Sequence, residues 1–187
     1  MKALSTLAAA LFVFAAAQTQ AQGWAEEQRD WGVAPSSALR RAPYSAPTPT
    51  TIPGARTVRT AELGELTRRS DAPLLVDVAS GEGHTTLAGA LWWPGAGRGS
   101  SFIDLVQGEI ATRLQQLSGG RKDRPIAFFC VNSRCWLSYN AGLRAVALGY
   151  TRVLWYRGGV EAWRAAGLPL GRAREPWTGA GALPAER

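Results

Sequence analysis

Cysteine, histidine and lysine are scarce in this chain of 187 residues, which has two cysteines, one histidine and two lysines. Two cysteines cannot make a disulfide scaffold, so packing must hold the fold. A metal site built only from nitrogen and sulfur ligands draws on about four such side chains, more than the chain offers, and no metal site is expected. There is no C-x-x-C-H, which excludes covalent c-type haem, and no cofactor is expected. The chain has no Lys/Arg block and no basic–aromatic alternation, so nucleic acid is not an expected partner. Ser-based triad motifs and Gly-rich phosphate loops are also missing. After the first residues, no apolar run approaches the roughly 20 residues of a membrane span.

What is present suits a folded, soluble protein: 46% hydrophobic residues, 19% charged, and a formal net charge of +7 from 21 basic against 14 acidic side chains. Nearly all of the positive charge is arginine, scattered along the chain, which makes a basic surface with some bias toward small anions. Lys2, an apolar run from Ala3 to Ala17 and the small residues that end it have the form of a secretory signal peptide. Residues 1–21 are therefore read as a leader cleaved after Ala17 or Ala21, and the mature protein as periplasmic or secreted with no membrane span. Outside the cytosol a nearby thiol pair tends to become oxidised.

Residues 22–55 form a Pro-rich segment, punctuated by Pro35, Pro43, Pro47, Pro49 and Pro53, that cannot sustain a helix. Trp24, Trp31 and Tyr44 are too many large aromatics for a spacer, so part of it is expected to pack on the domain. From residue 56 to 170 strands alternate with helices. Strands are expected at Thr57–Arg59, Leu74–Val78, Ala90–Trp93, Ile126–Cys130 and Val153–Tyr156. Helices are expected near Ala61–Arg68 with Thr60 as cap, at Ser101–Leu117, Trp136–Leu148 and Val160–Ala166. In the second of these, Phe102, Leu105, Val106, Ile110 and Leu114 recur at helical spacing. The alternation predicts a single α/β domain, a parallel sheet of about five strands with helices on both faces. Residues 171–187 read as a loose tail.

The informative stretch is Phe129-Cys130-Val131-Asn132-Ser133-Arg134-Cys135-Trp136, where a strand ends, a short loop follows and a helix begins. Ligands bind at the carboxyl ends of strands in open α/β sheets, and the next helix offers unpaired N–H groups and a positive dipole end. A thiol of pKa about 8.5 is only about 3% ionised at pH 7, whereas a pKa near 6.5 gives about 75% thiolate. Arg134 adds a fixed positive charge. Cys130 is thus a candidate reactive cysteine, with a buried structural thiol as the alternative.

This arrangement resembles the rhodanese-like domains. The resemblance spans roughly residues 56–170: the strand Leu75–Val78, then Leu87-Ala88-Gly89-Ala90, the strand into Cys130, the helix after it, Leu148-Gly149-Tyr150, and a closing Gly158-Gly159-Val160-Glu161-Ala162-Trp163 like the family's G-G-x-x-x-W. It implies that Cys130 carries a persulfide and that the loop through Val131, Asn132, Ser133, Arg134 and Cys135 binds the sulfur-bearing substrate, with Trp136 beside it. Asp77 reads as a loop-orienting acceptor, with Arg157 and Gly158 as supporting residues. His84 reads as a surface residue.

Four features depart from the usual family pattern. Val131 replaces the arginine after the cysteine, Cys135 stands at the sixth loop position, Ala79 replaces the arginine two residues after the strand's Asp, and His84 is displaced from the family position before Gly89-Ala90 by two extra residues. A related phosphatase needs a bidentate arginine at that sixth position, which Cys135 does not supply. The chain also resembles exported rhodanese-like proteins associated with PQQ-dependent alcohol catabolism and named for a C-x-x-C-W motif. They share Trp93-Pro94-Gly95 and Cys135-Trp136, although four residues separate the cysteines here.

Cys130 and Cys135 would lie about 17 Å apart if the loop were extended, whereas a disulfide needs Cα atoms about 4.4–6.8 Å apart. A curled loop is compatible with that range, and in an exported protein the pair is expected to bond; two separate thiols are the alternative. The favoured reading is thiol, persulfide or disulfide chemistry at Cys130 with Cys135, on a small sulfur-containing anion or on a partner protein's thiol or disulfide. The narrower resemblance implies an accessory role beside an exported quinoprotein dehydrogenase system. A non-catalytic binding module with a structural disulfide, and a thiosulfate-type sulfurtransferase, stand beside it.

Overall fold

The computed structural model describes residues 26–81 and 83–173. The signal-peptide reading, Trp24 and residues 174–187 of the tail lie outside them. Among the described residues seven strands are present: β1 Arg56–Val58, β2 Leu74–Asp77, β3 Thr85–Leu87, β4 Leu91–Trp92, β5 Ile126–Phe129, β6 Val153–Tyr156 and β7 Leu170–Arg172. From residue 56 on, the helices among the described residues are α1 Thr60–Leu66, α2 Leu105–Ser118, α3 Trp136–Ala147 and α4 Gly159–Ala165. Five strands form a parallel sheet in the order β1-β6-β5-β2-β4, as the alternation of strands and helices predicted.

Side-chain alternation along the central strand sorts the core into two faces. Ile126, Phe128 and Cys130 point to the side covered by α2 and α3, where they meet Ile110, Leu114, Leu137 and Ala141. Ala127 and Phe129 point to the side covered by α1 and α4, against Leu63, Val160 and Trp163. Both faces are thus buried, which is why β5 reads as an unbroken apolar run.

The Pro-rich segment is a third layer. Residues 33–55 pack Leu39 and Ile52 onto the outer side of α3, against Trp136, Tyr139, Leu143 and Trp155. Tyr139 and Asn140 pin it there: Ser36 N–H donates to the Tyr139 hydroxyl at 2.9 Å, and Arg40 N–H donates to Asn140 Oδ1 at 3.0 Å. Hence α3 is buried over nearly its whole circumference, from Trp136 to Ala145.

The structure differs from the sequence expectation in three places. Thr60 is not a cap: Arg59 holds that position, and the Thr60 hydroxyl instead donates to the buried Glu27 at 2.6 Å. Helix α2 begins four residues later than its periodicity suggests, because Asp104 accepts from Gln107 N–H at 2.9 Å and caps it there. Phe102 therefore stands before the helix, and Leu105 points to solvent. Strands β3 and β7 pair antiparallel as a separate ribbon that carries the described domain to Ala173, whose N–H donates to the His84 carbonyl at 2.8 Å.

Candidate functional site

Strand β5 delivers Cys130 to the carboxyl edge of the sheet, and the chain curls through four residues to Cys135, which precedes the first turn of α3. The curl has local causes. Asn132 Oδ1 accepts from Arg134 N–H at 2.9 Å, and the Asn132 carbonyl accepts from Cys135 N–H at 3.2 Å. This Asx turn brings the Cα atoms of Cys130 and Cys135 to 6.2 Å, and the two sulfurs are bonded.

The loop is fastened from both sides. On one, Val160 and Glu161 at the start of α4 donate their N–H groups to the carbonyls of Cys130 and Val131, each at 3.0 Å. This close approach requires Gly159: its φ is +63°, and a Cβ there would lie 2.4 Å from the Cys130 carbonyl oxygen. On the other side lies the Pro-rich segment. Ser45 bridges Cys135 in antiparallel fashion, Ala46 N–H donates to the Arg134 carbonyl, and Trp136 N–H donates to the Tyr44 carbonyl. Thr48 Oγ1 donates to the Ser133 carbonyl at 2.6 Å, and the Trp136 indole N–H donates to the Pro47 carbonyl at 3.0 Å.

Both cysteines line an open pocket of about 520 Å³, with Val131, Asn132 and Arg134 from the loop. Four other segments contribute to it: Tyr44 and Ser45 from the Pro-rich segment, Ser80 after β2, Arg98 after β4 and Leu137 from α3. Two arginines and three hydroxyl-bearing residues line this space, and among the described residues no carboxylate does. The site is thus electropositive, and its sulfurs belong to a bond that opens only by accepting two electrons. Cys130 itself is buried, at 2% exposure, whereas Val131 and Arg134 are exposed.

The supporting residues fall elsewhere. Asp77 ends β2 fully buried and accepts from Ala79 N–H at 2.9 Å and Thr86 Oγ1 at 2.6 Å. It also pairs with His84 Nε2 at 2.8 Å, so His84 is tied to a buried carboxylate rather than being a plain surface residue. Asp77 therefore shapes the segment carrying Ser80, not the cysteine loop.

Arg157 turns to the Pro-rich segment. It donates to the carbonyls of Glu27, Arg29 and Thr48 and to Thr48 Oγ1, at 2.7–3.0 Å. Burial pushes its pKa down from the usual arginine value. Its guanidinium also lies 4.8 Å from the ring centre of Trp31, which Arg134 approaches from the loop at 5.8 Å. Gly158 faces Glu27, leaving Gly159 as the glycine that touches the loop.

Sequence reasoning missed Tyr44, Ser45, Ser80, Arg98 and Leu137. A signal for Ser80 and Arg98 was available, since both follow the carboxyl ends of parallel strands, where ligands collect in such sheets. A rhodanese-like domain model matches residues 61–166.

The chain belongs to the rhodanese-like domain family.

Among solved structures, a rhodanese-like domain from Anabaena is 20% identical, covering 70% of this chain and 89% of that one with a TM-score of 0.45. The human single-domain sulfurtransferase is 26% identical over 59% of this chain and 96% of its own, with a TM-score of 0.41. A Rhodopseudomonas palustris protein of unknown function, described as a possible tyrosine phosphatase, is 22% identical over 63% and 85%, with a TM-score of 0.44. No curated protein matches. The rhodanese-like domain, from α1 to α4, contains the cysteine loop. Tyr44 and Ser45, which close one side of the pocket, come from the segment before the match.

Proposed function

We propose that this is an exported rhodanese-like protein that performs thiol, persulfide and disulfide chemistry at Cys130 with Cys135, as an accessory to PQQ-dependent alcohol oxidation. The observation that carries the chemical part is the bonded cysteine pair lining the pocket, on the loop where the family carries sulfur. The apolar run at residues 3–17 supports export, and Trp93-Pro94-Gly95 with Cys135-Trp136 supports the narrower association.

The chemistry closes on these two residues. Reduction by a partner dithiol yields Cys130 and Cys135 thiols and a partner disulfide. The Cys130 thiolate can then take the outer sulfur of thiosulfate, releasing sulfite. Attack by the Cys135 thiolate on Cys130 Sγ restores the bridge and releases hydrosulfide. Asn132, Ser133, Arg134 and Val131 shape the substrate side of the loop, with Trp136 at its end.

The test is the intact mass of exported protein isolated without reductant, then after reduction and thiosulfate treatment. The expected results are a mass two hydrogens short of the dithiol, and hydrosulfide released on thiosulfate treatment with return of the bridge. Cys135→Ser should trap a persulfide, a gain of one sulfur that cyanide removes. A thiosulfate-type sulfurtransferase would instead hold that persulfide in the wild-type protein. Full cellular function in both Cys130→Ala and Cys135→Ala would refute the catalytic reading and leave a binding module with a structural disulfide.

A further inference from the structure

The segment after β4 carries both a pocket arginine and exposed apolar side chains. Arg98 lines the pocket, and a few residues on Ile103 is 95% exposed, Leu105 88% and Phe102 37%. This is not a loose loop. The guanidinium of Arg144, fully buried in α3, donates to the carbonyls of Arg98 and Ser101 at 2.7 and 3.0 Å and to both Asp104 oxygens at 2.8–2.9 Å. Asn140 Nδ2 donates to the Gly97 carbonyl at 2.9 Å, and Gly99 N–H donates to the Tyr44 hydroxyl at 3.1 Å. The backbone is therefore fixed, and the apolar tips are held out into water at a constant cost in hydration.

Two further facts bear on the occupant. The pocket's volume of about 520 Å³ falls in the range of about 300–1,000 Å³ typical for drug-sized ligands, far more room than a five-atom sulfur anion fills. Among the described residues its lining has two arginines and no carboxylate, on a chain of net charge +7.

We propose that the segment Arg98–Leu105 is a docking surface for an acidic partner protein that presents a cysteine pair to the Cys130–Cys135 bridge. In this complex Arg98 and Arg134 pair with carboxylates flanking the partner's cysteines, and the exposed Phe102, Ile103 and Leu105 meet its apolar residues. The proposal rests on the reading that the bridge is turned over by thiols. One partner thiolate attacks a sulfur of the bridge, forming a mixed disulfide and expelling the other sulfur as thiolate. The partner's second thiolate then displaces the first. The partner ends as a disulfide, and Cys130 and Cys135 take up two electrons and two protons.

The test compares rates of bridge reduction by three probes: dithiothreitol, a C-x-x-C peptide flanked by Asp, Glu and Leu, and the same peptide with Lys for the acids. For the wild-type protein the acidic peptide should react at least about tenfold faster than the basic one, with the advantage shrinking as salt rises. Arg98→Ser should remove most of that advantage and slow dithiothreitol, which attacks as a singly charged thiolate, far less. It should also keep its melting temperature, since Arg144 holds the Arg98 carbonyl and not its side chain. Ile103→Ser with Leu105→Ser should slow both peptides, which share the leucines, relative to dithiothreitol. Equal rates for the two peptides, or an advantage that survives Arg98→Ser, would overturn the docking proposal. So would a wild-type dimer that Ile103→Ser dissolves, because a second copy would then own the patch. If dithiothreitol cannot reduce the bridge in the folded protein, the underlying thiol–disulfide reading fails instead.

Discussion

Reduction of the Cys130–Cys135 bridge should cost about 2 kcal/mol of folding stability and leave the fold standing. The bridge joins residues five apart in sequence. For a closed loop this short, the chain-entropy treatment gives roughly 7 cal/mol/K, or about 2 kcal/mol at 25 °C. Little should be added from the native side, because the loop's shape has other supports. The Cys130 and Val131 carbonyls remain bonded to α4, the Arg134 carbonyl to Ala46, and the turn at Asn132 does not involve sulfur. Against a typical total of about 5–15 kcal/mol, the reduced protein stays folded. Urea denaturation with and without reductant measures the difference. The midpoint should fall while the slope stays constant, since the same surface is exposed in both cases. The double variant Cys130→Ala with Cys135→Ala should show a similar drop and no response to reductant. A loss above about 4 kcal/mol, or a changed slope, would show that the Pro-rich segment leaves α3 on reduction and would refute the view that the loop is independently held.

Three other outcomes follow from named contacts. The Arg144 guanidinium beside Asp104 holds that carboxyl well below the usual range, at about 2 against 3.8, so its stabilisation is full above about pH 4 and lost as pH falls toward 2. Asp104→Asn should therefore flatten the acid loss in melting temperature between pH 4 and 2 by the equivalent of about 2 kcal/mol; equal acid loss in both proteins would refute it. Gly159→Ala should cost more than about 2 kcal/mol, combining the left-handed backbone penalty with a clash against the Cys130 carbonyl, and should change the bridge's reduction rate; a neutral melting curve would count against the geometry. Arg157→Met strands the carbonyls of Glu27, Arg29 and Thr48 and should destabilise by about 3 kcal/mol or more, opening the chain at Arg40 and Arg41 to trypsin; undiminished protease resistance would show that the segment is held by other means.

The sheet was legible because its strands are buried on both faces, and such strands print themselves as short apolar runs in Ile126–Phe129 and Val153–Tyr156. The loop was legible because both cysteines sit between a run of this kind and a helix. Helix α2 was misread at its start because Phe102 and Leu105 fit the apolar spacing yet face water; hydrophobic periodicity cannot tell an inward side chain from an exposed one. The Asp104 side chain, a local polar signal, decides the boundary instead. The β3–β7 ribbon escaped because Thr85–Leu87 and Leu170–Arg172 are three residues each and pair across more than 80 positions. The roles of Arg157 and Glu27 were hidden for the same reason: their partners lie over a hundred and over thirty residues away. The segment's three aromatics did announce that it would pack, though not where.

The two cysteines are held on different anchors, and this bears on how the site can change state. The backbone at Cys130 is fixed by β5 and by the N–H of Val160, whereas that at Cys135 is fixed by Ser45 and by the bonds of Arg134 and Trp136 to the Pro-rich segment. Neither anchor uses sulfur. Opening the bridge therefore asks only for rotation about the two Cα–Cβ bonds, not for backbone refolding. A persulfide on Cys130 and a bridge to Cys135 exclude one another, because both need the same sulfur valence. Within the proposed function, the protein alternates between these forms on one backbone. Under that proposal the Pro-rich segment, which lies before the matched family region, belongs to the reaction site, because its backbone bonds at Arg134 and Trp136 hold Cys135 beside Cys130.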